Sequence, residues 1–231
     1  MTDRSNGEAL PRRFPLWLKL VYTAFVCVMV PVYWRTYGPT NFLYFCDVAV
    51  FLTLATLWTG NALLVSTAAV GIVLPHLAWV LDLGAHLVGL KITGMSDYMF
   101  DSKIPAFTRG ISLFHGWLPF LLLYAVWRLG YDRRALGFWQ TIAWPLMLIC
   151  FFWLPKPGSV LANPRQPVNI NYVYGFGDDA PQPWMPAWSW LLVVMTAMPL
   201  VLWWPAHFAL KRWGTKPAEN QKPAEPRQAE Q

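Results

Sequence analysis

Charge is what this sequence has least of. Asp, Glu, Lys and Arg make up 13% of its residues, against 56% apolar, where a water-soluble domain carries about 25% charged. That shortage of polar surface excludes a soluble globular domain. Cysteine is scarce as well. Cys27, Cys46 and Cys150 lie singly inside apolar runs, with no CxxC and no paired framework, which excludes a zinc ribbon or a disulfide scaffold. No P-loop, Rossmann glycine pattern, GxSxG or haem-attachment motif occurs, so the nucleotide, α/β-hydrolase and haem signatures are all missing. His76, His86, His115, Asp82 and Asp97 have metal-ligand chemistry but no tight spacing such as HExxH, and neither a metal nor a cofactor is expected.

The charges that exist are distributed informatively. The 18 basic and 12 acidic residues give a formal +6, which resembles nucleic-acid affinity until their positions are read. They fall between and beside long apolar runs, the signature of membrane topology, so no nucleic-acid partner is expected. A spanning helix needs roughly 20 mainly apolar residues. Six stretches qualify: Leu16–Trp34, Phe42–Trp58, Ala62–Leu81, Ile111–Trp127, Ala135–Leu154 and Trp188–Leu210. The expected fold is therefore an all-α polytopic transmembrane bundle with about six spans. Residues 1–15 read as an N-terminal segment, 16–213 as the membrane domain, and 214–231, rich in Pro, Ala, Glu, Gln and Lys, as a disordered tail. Pro31, Pro75, Pro119, Pro145 and Pro199 stand in five of the spans, tolerated because neighbouring groups re-satisfy the freed carbonyls.

Twelve Lys and Arg residues fall on the side holding both termini and the loop after the fourth span, and six on the other. The positive-inside rule then puts both termini in the cytoplasm of a cell inner (plasma) membrane. Two long segments, Asp82–Gly110 and Pro155–Ala187, face outward, and Asp82 to Lys91 is expected as a short interfacial helix. The inward connection Thr59-Gly60-Asn61 is tight. Asn169-Ile-Asn-Tyr-Val-Tyr-Gly-Phe-Gly is too aromatic for disorder and is expected to fold over the helix ends.

Ionisable side chains are costly in hydrocarbon, and each one inside a span is a candidate for function. Asp47 is the one acidic residue in the six spans, and His76, His115 and His207 are their histidines. At 1.5 Å per residue, Cys46 and His115 sit roughly 6 Å below the outer boundary and His76 about 8 Å below it. Cys46, Asp47, His76 and His115 thus share a layer beneath the long loops. Ser112 and His115 are three apart and share a helix face, and Pro119 frees the carbonyl of His115. A thiol beside an imidazole is the arrangement of an activated nucleophile. The plainer possibilities stand beside it: a lone buried Cys is commonly a packing residue, and intramembrane His or Asp can serve interhelical hydrogen bonds. The fifteen tryptophans read as interfacial belts.

Three islands carry a resemblance: Asn41-Phe-Leu-Tyr-Phe-Cys46-Asp47, Ser112-Leu-Phe-His115-Gly and Asn171-Tyr-Val-Tyr-Gly. They resemble the "LPLHLCD", "FFH" and "NYxYL" motifs of YwaF-type integral membrane proteins. That family is related to a eukaryotic transmembrane acyltransferase that moves fatty acyl groups between lipids. It is more distantly similar to the androgen-induced-gene type of fatty-ester hydrolases. Leu57 to Leu136 also looks like bacterial membrane-associated proteins of unknown role. The family's cysteine falls on Cys46 and its histidine on His115. Tyr44 stands where the family has His, and no Lys-Pro follows the Asn-Tyr motif.

Residues and resemblance together imply a lipid acyltransferase or esterase acting on membrane lipids. Cys46 would be the nucleophile and His115 the base. Asp47 or His76 would support the imidazole, and Ser112, Asn171 and Tyr172 would help bind substrate. Two other classes stay open: a small proton-coupled transporter using Asp47 and the histidines, against which no repeat relates the two halves, and a non-catalytic membrane subunit. A homo-oligomer or a partner membrane protein is compatible with each.

Overall fold

The computed structural model describes residues 14–214. The N-terminal segment up to residue 13 and the tail from residue 215 lie outside the described residues, as do the basic residues there that helped set the expected orientation. Within them the chain is all-helical, with no strand. Its helices are α1 (Leu16–Tyr37), α2 (Phe45–Thr59), α3 (Ala62–Leu87), α4 (Ala106–Ser112), α5 (Phe114–Leu129), α6 (Ala135–Trp153), α7 (Ala187–Met198) and α8 (Trp204–Gly214). α4 and α5 run on through Leu113, and a π-helical turn at Pro199–Trp203 joins α7 to α8.

Five of these helical stretches are long and apolar enough to cross a membrane: Leu16–Tyr37, Ala62–Leu87, Ala106–Leu129, Ala135–Trp153 and Ala187–Gly214. The chain is a multi-pass helical membrane protein. The sixth expected span is shorter than its apolar run suggests. Gly38-Pro39 turns the chain, Pro39–Leu43 closes a 3₁₀ turn, and α2 keeps 15 residues, about 22 Å against a hydrocarbon core of about 30 Å. Cys46 and Asp47 stand in the first turn of α2.

α3 is the axis of the bundle, packed by α2, α5, α6 and α8. Its small residues let the neighbours close in, as is usual where lipid offers no hydrophobic drive between helices. The tightest approach is at Gly71, where a β-carbon would stand 2.2 Å from the indole of Trp139 on α6. At the opposite end, Gly60 takes the left-handed conformation (φ 69°) that ends α2. Asn61 then caps α3, its Oδ1 accepting from the amides of Leu63 and Leu64. Gly214 on α8 accepts from the Tyr131 amide in the α5–α6 turn at 3.1 Å, so these connections gather on one face.

The two long loops cover the other face, and polar side chains fold them. The segment expected as a separate interfacial helix is the continuation of α3, which runs on to Leu87. Asp82 on this last stretch of α3 gathers the first loop. Its Oδ1 accepts from Thr93 N, Thr93 Oγ1 and Gly94 N, and its Oδ2 from Ser96 N and Ser96 Oγ, at 2.6–3.1 Å. In the second loop Asn169 donates to the carbonyls of Gly175 and Gly177 and accepts from Tyr174 N. Asn169, Asn171 and Tyr172 all hold φ near +50 to +61°, a conformation that asparagine tolerates and tyrosine adopts rarely.

Two outcomes are expected. Gly71→Ala forces the Trp139 ring to move and lowers stability by about 1–3 kcal/mol, read as a fall in melting temperature in detergent. Asp82→Ala strands five donors and opens the first loop, measured as faster protease cleavage between Leu90 and Ile104 with the helices left intact.

Candidate active site

Beneath the first loop, α3 and α5 bring two imidazoles together. The rings of His76 and His115 lie 4.8 Å apart, centroid to centroid, and Trp79, one turn along α3 from His76, stacks on His115 at 5.3 Å. Phe114 stacks on the other side of His115 at 4.1 Å. At Leu113 the helix tightens, so that the Gly116 amide donates to the Leu113 carbonyl at 2.9 Å, and His115 Nδ1 lies 2.8 Å from the carbonyl of Ser112. A carbonyl can only accept, so Nδ1 carries the proton and Nε2 presents its lone pair.

Ser112 itself is committed to structure. Its hydroxyl donates to the Thr108 carbonyl and meets the Tyr33 hydroxyl at 2.6 Å, which makes Tyr33 the donor there. Tyr33 also lies in the electrostatic field of Asp47 and Tyr98, so α1 links the start of α2 to the α4–α5 junction. Tyr98 arrives from the 3₁₀ turn Asp97–Phe100 of the first loop. Its hydroxyl faces the Trp79 indole and the Ser112 hydroxyl without closing a hydrogen bond to either. Burial pushes that phenol well above its ordinary pKa, and the neighbouring Cys46 adds to the effect.

The first turn of α2 supplies the rest. Asp47 is 1% exposed, and its Oδ2 accepts from Asn41 Nδ2 at 2.8 Å across the bend that precedes the helix. Cys46 is half-buried, with its sulfur against the amides of Cys46 and Asp47 at the helix start. Asn171 holds this turn from the second loop: its Oδ1 accepts from Phe45 N at 3.1 Å and its Nδ2 donates to Leu43 O at 2.9 Å. That amide, expected to bind substrate, is 3% exposed and spent on backbone groups. Tyr172 beside it is 37% exposed, and its carbonyl accepts from the Trp190 indole. Cys150 is buried under the Asn171 amide, and Cys27 is exposed on α1.

Several polar atoms of this layer are buried without a hydrogen-bond partner: Asp47 Oδ1, both ring nitrogens of His76, Trp79 Nε1 and the Tyr98 hydroxyl. An unpaired buried polar group costs about 1–3 kcal/mol, and structures tend to keep such groups where a ligand supplies the partner. Thr40 Oγ1, Thr67 Oγ1 and Trp139 Nε1 are likewise buried without a partner. His86 pairs with Asp97 at 3.1 Å, and His207 Nδ1 lies 2.6 Å from the Tyr131 hydroxyl. Among the described residues no three His, Cys, Asp or Glu side chains group as metal ligands. Asn41, Tyr33, Trp79 and Tyr98 escaped sequence reasoning. Of these, Trp79 alone carried a local signal, its three-residue spacing from His76 on one helix face.

No protein-family model, curated protein or solved structure matches the chain.

Nitrogen-labelled histidine NMR should report His115 as the Nδ1–H tautomer at neutral pH. An Nε2–H signal for this residue would contradict the Ser112 hydrogen bond.

Proposed function

We propose that the protein is a membrane-embedded acyltransferase or esterase acting on lipid esters, with Cys46 as nucleophile and His115 as general base. The observation that carries this is the fixed tautomer of His115. Its Nδ1 is tied to the Ser112 carbonyl at 2.8 Å, which leaves Nε2 as the ring's basic nitrogen. The resemblance of the Cys46, His115 and Asn171 islands to YwaF-type proteins points to the same chemistry.

In this mechanism the Cys46 thiol passes its proton to His115 Nε2 as sulfur attacks the acyl carbonyl carbon. The carbon–sulfur bond forms and the ester carbon–oxygen bond breaks. The departing alkoxide takes the proton back from His115, and a thioester remains on Cys46. A lipid hydroxyl or water, deprotonated by the same nitrogen, then attacks the thioester and releases the thiolate, which recovers the proton. Asp47 and Asn41 hold the α2 turn that carries the sulfur. An acyl donor dissolved in the bilayer reaches a site at this depth laterally. On the charge distribution, the site belongs to the outer leaflet and both termini to the cytoplasm.

The test is lipid acyl transfer or hydrolysis by purified protein in liposomes. Cys46→Ala should abolish turnover, and His115→Ala should lower it about 100-fold or more. Full activity in Cys46→Ala would refute the nucleophile.

A further inference from the structure

The buried groups left without partners are not equivalent, and their chemistry specifies what fits among them. Trp79 Nε1–H can only donate. It is 3% exposed, has no acceptor, and belongs to the ring stacked on His115. The Tyr98 hydroxyl is the second orphan, turned towards the same indole. One donor comes from the loop-bearing half of α3 and the other from the loop that follows it. An occupant that satisfies both must present an oxygen able to accept two hydrogen bonds. The acyl carbonyl is such an oxygen, and it gains negative charge as the tetrahedral intermediate forms.

We propose that Trp79 Nε1 and the Tyr98 hydroxyl form the oxyanion-binding site for acyl transfer to Cys46. The inference rests on the acyl-transfer reading of the site and adds to it the groups that stabilise the transition state. When the thiolate attacks, the carbonyl π electrons move onto oxygen, and the two donors receive that charge in a site poor in water. They return it when the carbon–oxygen bond to the leaving group breaks. Donors fixed in place before the reaction need no reorganisation, which is why such pairs contribute strongly to rate. The loop that carries Tyr98 is folded by Asp82, so the position of this donor depends on those hydrogen bonds.

The experiment compares two modifications of Cys46 in the full chain in detergent, each followed by mass spectrometry of the Cys46 peptide. The first reagent, p-nitrophenyl octanoate, acylates sulfur through a tetrahedral oxyanion and releases p-nitrophenolate. The second, iodoacetamide, alkylates sulfur by displacing iodide and develops no oxyanion. Trp79→Phe and Tyr98→Phe, each lacking one donor, should slow acylation about 100-fold or more and leave alkylation unchanged. If either variant acylates at the wild-type rate, its residue is not an oxyanion donor, and acyl transfer through Cys46 stands. If both reactions slow together, the residue shapes or shields the thiol and the oxyanion assignment is overturned. If wild-type Cys46 alkylates but never acylates, the acyl-transfer reading itself falls and takes this inference with it.

Discussion

One asparagine side chain holds the open end of a helix that is too short to cross the bilayer. Asn171 accepts from the Phe45 amide and donates to the Leu43 carbonyl, so a residue of the second long loop closes the bend before α2. In hydrocarbon, backbone groups at a helix start have no water to turn to. Asn171 joins two other ties across this bend: the Tyr44 amide donates to the Asn41 carbonyl, and the Asn41 side chain reaches back to the Asp47 carboxylate. The left-handed backbone at Asn169, Asn171 and Tyr172 follows from the same requirement, since the chain must fold sharply to present the amide.

The two loops have different tasks. The second fixes the start of α2, and the first brings Tyr98 over the imidazoles, with Asp82 as its internal anchor. Both use a buried polar side chain to organise backbone that has no secondary structure of its own. Around them the bundle is ordinary in its physics: small residues on α3, the Trp139 ring seated on Gly71, and tryptophans facing outward. The contrast is instructive. Asp82 and Asn169 satisfy backbone amides of the two loops, while Asp47 Oδ1, both His76 ring nitrogens, Trp79 Nε1 and the Tyr98 hydroxyl are buried without partners. Such unpaired groups are expensive in a membrane interior.

Much of this architecture was legible in the sequence because hydrophobic runs and charge placement dominate membrane folds. The apolar stretches and the tight Thr59-Gly60-Asn61 turn followed from spacing. The length of α2 did not, because Phe42 and Leu43 continue the apolar run while Gly38-Pro39 has already bent the backbone into a 3₁₀ turn. Asn41 and Asp47 are six residues apart, a spacing that brings no two side chains together on a helix and does so here through the bend. Tyr33, Trp79 and Tyr98 were hidden among nine tyrosines and fifteen tryptophans. Interfacial belts account for such residues equally well until their polar tips are seen to turn inward. Asn171 was expected to meet substrate because it is polar in an aromatic loop, and only its position against α2 reveals that its amide serves the backbone.

The central claim is that a lipid acyl chain passes through the sulfur of Cys46. Incubating the protein in liposomes with a phospholipid bearing an isotopically labelled acyl chain, then quenching in acid and digesting, tests it directly. The account predicts a labelled acyl group on the Cys46 peptide, released by neutral hydroxylamine as a thioester is, and longer-lived when the acceptor is withheld. Lipid turnover with the label never found on that peptide, or found there as a hydroxylamine-resistant ester on another side chain, would contradict it.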